Sequence, residues 1–376
     1  PGTPSTGRQF LYHRGDWRAM ISLRRKVPVA EDTSNCPNLP ELSQNFLSLM
    51  GSAWMSQAIY VAAELGLADL IKCRPMHAGE LALQCGCDSS AMNRLLRGLC
   101  SIGICSQTTS GAFELGDMGE FLLSESSHSL RDMVLWWGKS HWELWGNLLY
   151  SLRTGRSARS KLHGSRGFGF LTRDPEAAAL FNSAMTQMAR LENSEILQAY
   201  DFSRYERVLD VGGGYGELLL SIMAAHPEVK TVLFDLEDTV ATAQARSPGA
   251  WPSERCEFIP GDFFDTVPTG ATLHILKNVI HDWDDEHAVR ILGNCAGALP
   301  AGGRLLVIER VLPETFVDSS RHRELARSDL TMLLAHAAVE RTLQQFTDLA
   351  DSAGFTMTRV IPTNTPLSVM EFSHRS

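Results

Sequence analysis

Between Arg207 and Pro313 this chain alternates short apolar, β-branched runs with helix-like segments, and few architectures accept that pattern. The runs are Val208–Val211, Thr231–Phe234, Leu273–Leu276 and Leu305–Ile308. Strands separated by helices predict βαβ units and a doubly wound, mostly parallel α/β sheet. The first run ends in a glycine cluster (Gly212, Gly213, Gly214, Gly216), and the second ends in an acid, Asp235. In open parallel sheets, ligands sit at the carboxyl ends of the strands, so these residues mark the ligand edge.

The glycines allow a sharp turn and a close backbone approach, and Glu217–Ala225 reads as the helix that follows. A dinucleotide site would follow G-x-G-x-x-G, with pyrophosphate at the helix start. Its third glycine falls on Glu217, whose carboxylate would repel a pyrophosphate. A ligand with a cationic sulfonium and an amino group suits it instead. Asp235 is placed to take a ribose diol, and Asp262 of the GDFF run an adenine amino group, with Phe263 as an apolar neighbour.

The runs DVGGGYG, FDL, GDFF, LKNVIHDWDDEH, IERVLPE and ERTLQQFTDLADSAGF occur in this order. By them, residues 45–370 resemble the S-adenosylmethionine-dependent small-molecule O-methyltransferases of plant caffeate/flavonoid and bacterial antibiotic pathways. LKNVIHDWDDE is the most specific of these runs. The resemblance implies a class I methyltransferase fold behind an N-terminal winged-helix dimerisation domain that lids the site. It implies cofactor contacts from Gly212, Gly213, Gly214, Asp235, Leu236, Asp262, Phe263, Phe264 and Lys277. It also implies His281 as catalytic base, with Glu309 and Glu340 orienting it and Asp282 beside the substrate. The pocket wall would draw on Trp136, Trp137, Trp142, Met185, Met188, Met332 and His336. Ala337 and Ala338 stand where family members often carry two glycines, so a differently shaped loop before Glu340 is expected.

An unperturbed imidazole, pKa near 6.5, is a natural general base. A phenol resembles tyrosine, with a pKa near 10, so full proton loss to such a base is uphill by about 5 kcal/mol. The proton would therefore leave as the oxygen attacks the methyl. Carbon methylation of an aromatic ring, or a non-methylating reaction on the same scaffold, is an alternative that also uses a base.

The rest of the chain bounds the reading. A net charge of −9 argues against nucleic acid or an anionic membrane as partner. No run of 18 apolar residues occurs, so no transmembrane helix is expected. No signal peptide is evident, and a cytoplasmic enzyme is expected. Residues 1–40 read as an extension, 41–128 as the winged-helix domain, 129–200 as pocket helices and 201–376 as the cofactor domain. Leu42–Ile71 predicts two helices broken near Gly51. Helix, turn, helix, then a hairpin near Thr109–Leu115 could also place Ser90–Leu99 in DNA, as in a regulator that senses the cofactor. That helix carries only Arg94 and Arg97 as cations, which favours homodimerisation. The eight cysteines include no C-x-x-C pair and read as buried free thiols. The acids Asp282, Asp284, Asp285 and Glu286 lack the glycine of a calcium loop and read as a helix start. No metal is expected.

Overall fold

The computed structural model describes residues 38–374 except 165–168, 170, 172–173, 247–250 and 253. The 1–40 extension therefore lies almost wholly outside the described residues, as does Cys36. Contacts divide the chain at Ser52. The first unit contributes one described helix, α1 (Leu39–Gly51), in which no residue is buried.

The second unit opens with α2 (Ala53–Glu64), α3 (Leu67–Ile71), α4 (Ala78–Cys85), α5 (Ser89–Ser101) and an antiparallel hairpin, β1 (Cys105–Gln107) and β2 (Phe113–Leu115). This is the expected helix–turn–helix–hairpin order, with the break near Gly51 in place. Asp88 caps α5 by accepting from the Ala91 N–H at 2.8 Å, which satisfies a free donor of the first turn. Leu81, Leu96, Leu99 and Phe113 close the core of this region. The helical tract Leu39–Glu64 is long and apolar enough, by length and composition alone, to cross a membrane, because scattered Ser, Gln and Gly residues interrupt its apolar runs without lowering its mean.

The aromatic-dense segment folds as α6 (Arg131–Trp136), a single π turn (Trp137–His141), α7 (Trp142–Trp145), α8 (Leu148–Thr154) and α9 (Ala158–His163). The long α10 (Pro175–Ala199) follows, capped by Asp174.

Then come β3 (Arg207–Val211), α11 (Glu217–Ala225), β4 (Lys230–Asp235), α12 (Glu237–Arg246), β5 (Cys256–Pro260), β6 (Leu273–Lys277), α13 (Asp285–Ala298) and β7 (Arg304–Leu312). The chain ends with α14 (Ser320–His336), β8 (Arg341–Thr342), α15 (Leu343–Ser352), β9 (Phe355–Pro362) and β10 (Leu367–His374). The strand order is β5-β4-β3-β6-β7-β10-β9, with β8 beside β7. Strands β3 to β7 pair in parallel, and β10 runs antiparallel to both neighbours. Both sheet faces are covered, as parallel sheets require. Leu209, Val211, Leu276 and Val307 pack with α13 and α15. Val208, Leu273, Ile275 and Leu306 pack with α10 and α11. The order in which strands are added reverses between β3 and β6, so the crevice beyond their carboxyl ends is the switch point where such sheets bind ligands.

The cysteine expectation holds only in part. The seven described cysteines are free, and Cys105, Cys256 and Cys295 are buried, but Cys73 and Cys87 are exposed. Their local sequence is polar and lies in turns, where no core forms around a thiol.

Candidate active site

At the switch point the glycine loop turns on positive φ at Gly212 (71°) and Gly214 (58°). A Cβ on Gly213 would lie 2.6 Å from Leu233 and 2.8 Å from the Asp210 carboxyl carbon, so this backbone can approach β4 only as glycine. Asp235, ending β4, accepts from the Gly214 N–H at 2.8 Å and the Leu236 N–H at 2.7 Å. Burial raises its pKa, and these two bonds oppose that rise. A Cβ on Gly212 would meet the Phe263 ring at 3.3 Å, which places the GDFF loop directly across the cradle. Asp262 accepts from the Phe264 N–H at 2.8 Å and is exposed, as is Leu236.

Lys277 ends β6. Its Nζ donates to Glu192 of α10 at 2.7 Å, and Arg310 lies 3.5 Å from the same carboxylate. All three side chains are nearly buried. This charge cluster ties the pocket helix to the sheet, and no pattern in the sequence marked Glu192. Asp210, buried beneath the loop, is pushed up to about 7 by burial, with Lys277 opposing and Asp235 reinforcing.

The second half of the site begins one residue later. Asn278 takes φ 53°, turning the chain out of β6 into the 3-10 turn Ile280–Asp282. Glu309, on β7, organises that turn: its Oε1 accepts the N–H groups of Val279 (2.9 Å), Ile280 (2.9 Å) and His281 (3.3 Å). Its Oε2 lies 3.5 Å from His281 Nδ1. Glu340 brings Oε1 within 3.3 Å of the same Nδ1 and also accepts from the Ser328 hydroxyl at 2.7 Å. Arg341 donates to the Ile280 and Trp283 carbonyls and to Asp285, fastening β8 to the turn. The loop before Glu340 forms with Ala337 itself in the left-handed region at φ 56°, and Glu340 still reaches the imidazole.

Glu309 and Glu340 are fully buried and His281 is nearly so. Burial opposes the imidazolium, but Glu309, Asp282 and Glu340 outweigh it and push His281 up to about 10. The ordinary value near 6.5 used in the sequence reading therefore does not apply. Burial lifts Glu309 to about 7, against the pull of His281. Asp282 Oδ1 lies 3.8 Å from His281 Nε2, on the ring edge away from the two glutamates. Donor atoms of His281, Glu309 and Glu340 all fall within 4.8 Å of one another, close enough for one cation. A protonated imidazole cannot ligate, however, so the raised basicity works against that use.

Trp283 joins the two halves, edge-on to Phe264 at 4.7 Å and to Phe263 at 6.0 Å. Asp284 caps α13 through the His287 N–H at 3.0 Å, as the acidic run suggested. Among the expected wall residues, Trp136 is buried, Met332 and His336 are partly buried, and Trp142 and Met185 are exposed.

A family model for an O-methyltransferase domain matches residues 145–356, and one for an O-methyltransferase dimerisation domain matches residues 47–125. This chain is an O-methyltransferase. Among similar members, the phenazine O-methyltransferase PhzM of Lysobacter antibioticus is 37% identical over 88% of this chain and 96% of its own length. The O-demethylpuromycin-O-methyltransferase of Streptomyces alboniger is 35% identical over 87% and 88%. The human N-acetylserotonin methyltransferase, solved with S-adenosylmethionine, superposes with a TM-score of 0.81 at 25% identity, covering 91% of this chain and 99% of that one. The O-methyltransferase is S-adenosylmethionine-dependent and carries a dimerisation domain. Its cradle fits the cofactor on its own chemistry. A Cβ-free loop lets backbone approach, the Asp235 carboxylate can accept two hydroxyls, and Phe263 offers an apolar face.

Proposed function

We propose that this O-methyltransferase methylates a phenolic hydroxyl of a small aromatic metabolite, and that His281 takes the hydroxyl proton. The observation that carries the reading is a buried imidazole whose Nδ1 faces two carboxylates, at 3.3 and 3.5 Å, from segments far apart in sequence. In the neutral imidazole, the fraction that grows as pH rises, Nδ1–H donates to that pair and leaves Nε2 to receive the proton, much as an acid orients the base in a serine-protease triad. The charge on His281 then develops where Glu309, Glu340 and Asp282 already favour it. A base raised to about 10 matches a phenol near 10, so the transfer is close to thermoneutral.

Bound S-adenosylmethionine supplies a methyl carbon made electrophilic by its cationic sulfur. Gly212, Gly213, Gly214, Asp235, Leu236, Asp262, Phe263 and Phe264 would hold it, with Lys277 acting through Glu192. Trp136, Trp142, Met185, Met332, His336 and Asp282 would contact the acceptor. Two copies would pair through the dimerisation domain, and the triad would hold a proton and no metal.

His281→Ala should keep affinity for S-adenosylhomocysteine and lower turnover by roughly 10²- to 10⁴-fold, the usual worth of a positioned base. Turnover within tenfold of the unaltered enzyme would remove the base. A screen of phenolic acceptors with methyl-labelled cofactor, followed by locating the label, separates oxygen from ring carbon.

A further inference from the structure

The strand ends beneath the cofactor cradle hold two cations, although the cofactor is itself a cation. On the sheet face packed by α10 and α11, Val208, Ile275 and Ile308 are buried. Side chains alternate along a strand, so Asp210, Lys277 and Arg310, each two residues further on, project from that same face. Across it, the Glu192 carboxylate of α10 meets Lys277 Nζ at 2.7 Å on Oε2 and the Arg310 guanidinium at 3.5 Å on Oε1. The side chains of Glu192, Lys277 and Arg310 are only 6%, 11% and 12% exposed, so two cations and one anion are withdrawn from water together at the ligand edge.

This cluster reaches the cradle through Asp210. Lys277 and Asp235 both act on the Asp210 carboxyl, in opposite senses. The same carboxyl packs against the glycine loop, where a Cβ on Gly213 would come within 2.8 Å of its carbon. The field of Lys277 and Arg310 therefore bears on whatever the loop holds. S-adenosylmethionine carries a positive sulfur, which buried cations repel. At an effective dielectric near 20, a unit charge about 12 Å away changes a binding constant roughly tenfold. Glu192 opposes that repulsion. Burial disfavours its ionisation, but Lys277 and Arg310 outweigh burial and hold its carboxyl below the ordinary carboxylate range, so it stays an anion at neutral pH. It offsets one of the two cations. The other is offset only where Asp210, pushed up to about 7 by burial, is ionised. An apolar contact would tie α10 to the sheet without burying three charges. What only a carboxylate can do there is cancel a cation.

We propose that Glu192 is a specificity-determining residue for the cofactor: its charge lets a site built over Lys277 and Arg310 accept a sulfonium, and it sets the preference for S-adenosylmethionine over S-adenosylhomocysteine, whose sulfur is neutral. Glu192 acts through the two cations and touches no reacting atom. Methyl transfer removes the charge on sulfur, so the same balance governs retention of the cofactor and release of its product. The inference rests on the reading that seats the cofactor on Gly212–Gly214 and Asp235.

The test measures binding to the full chain by calorimetry at pH 8, where Asp210 is already largely ionised. The probes are S-adenosylmethionine, S-adenosylhomocysteine and sinefungin, an unreactive analogue that bears an ammonium in place of the sulfonium. Glu192→Gln should weaken S-adenosylmethionine and sinefungin roughly tenfold more than S-adenosylhomocysteine. Glu192→Asp keeps the charge and should keep the ratio. Arg310→Gln removes a cation and should move the ratio the other way, by about threefold or more toward S-adenosylmethionine. Circular dichroism melts report whether each variant is folded, and Arg310→Gln decides alone if Glu192→Gln is not. Equal weakening of all three probes in Glu192→Gln would mark a purely structural tie and overturn the proposal. So would a ratio that stays put in Arg310→Gln. Asp235→Ala separates this inference from the reading beneath it, since loss at the cradle should weaken all three probes together. If Asp235→Ala weakens none of them, the cradle reading falls and this inference with it. Equal weakening in Glu192→Gln while Asp235→Ala remains effective sinks this inference alone.

Discussion

The two halves of this active site are built on opposite principles. The cofactor cradle is local: Gly212–Gly214 and Asp235 lie at adjacent strand ends and are joined by backbone hydrogen bonds. The proposed base is assembled from the β6–α13 turn, β7 and the segment after α14, and it depends on buried charge. The cradle should therefore fail through affinity and the base through pH dependence.

After His281→Ala, the largest expected effect follows from Glu309. Its carboxylate stabilises the His281 imidazolium and also closes the turn, so Glu309→Gln should lower turnover by roughly 10²- to 10³-fold. The sign of the pH effect is fixed. With His281 raised to about 10, the unprotonated base grows scarcer as pH falls, so the rate should climb with pH through the neutral range. Removing a negative charge lowers the histidine pKa, so in Glu309→Gln the rising limb should move to lower pH. A limb that stays put would show that Glu309 acts only on the backbone. Asp235→Ala is the complementary break. It should weaken S-adenosylhomocysteine by roughly 10- to 100-fold, the worth of hydrogen bonds to a charged group, with the pH profile unmoved. A shifted profile would mean that the two halves are not separable.

Between the halves, the mid-strand of β6 holds His274, fully buried, with neither ring nitrogen bonded among the described residues. Burial lowers it to about 4. Below about 6.5 the unfolded chain takes a proton that the folded chain refuses. Stability should then fall by up to about 1.4 kcal/mol per pH unit down to pH 4. Thermal melts across that range should show the loss, and His274→Leu should flatten it while stabilising the protein at pH 7 by about 1 to 2 kcal/mol. An equal slope in both proteins would place the acid sensitivity in the base cluster. The smallest effect concerns Ala337, whose left-handed backbone costs about 1 kcal/mol. Ala337→Gly should raise stability by at most that amount, read as a small rise in Tm with turnover preserved.

The strand runs and glycine loop were legible because their signals are local. Continuous apolar runs, clustered glycines and a strand-end acid each report on their own neighbourhood, and helix Glu217–Ala225 falls where it was expected. The β9–β10 hairpin escaped notice because β9 is an edge strand of mixed polarity and β10 breaks its apolar run with Ser368 and Glu371. Resemblance, not patterning, named His281, Glu309 and Glu340, and neither revealed that Glu192 pairs with Lys277.

From the sequence alone came the parallel sheet and its ligand edge, because apolar strand runs and glycine clusters are written residue by residue, and the resemblance of its motifs added the cofactor. Tertiary structure alone decided how basic His281 is and that Lys277 and Arg310 share Glu192. Those depend on which charges are buried together, and the Coulomb energy between buried groups is set by distances in space that spacing along the chain does not record.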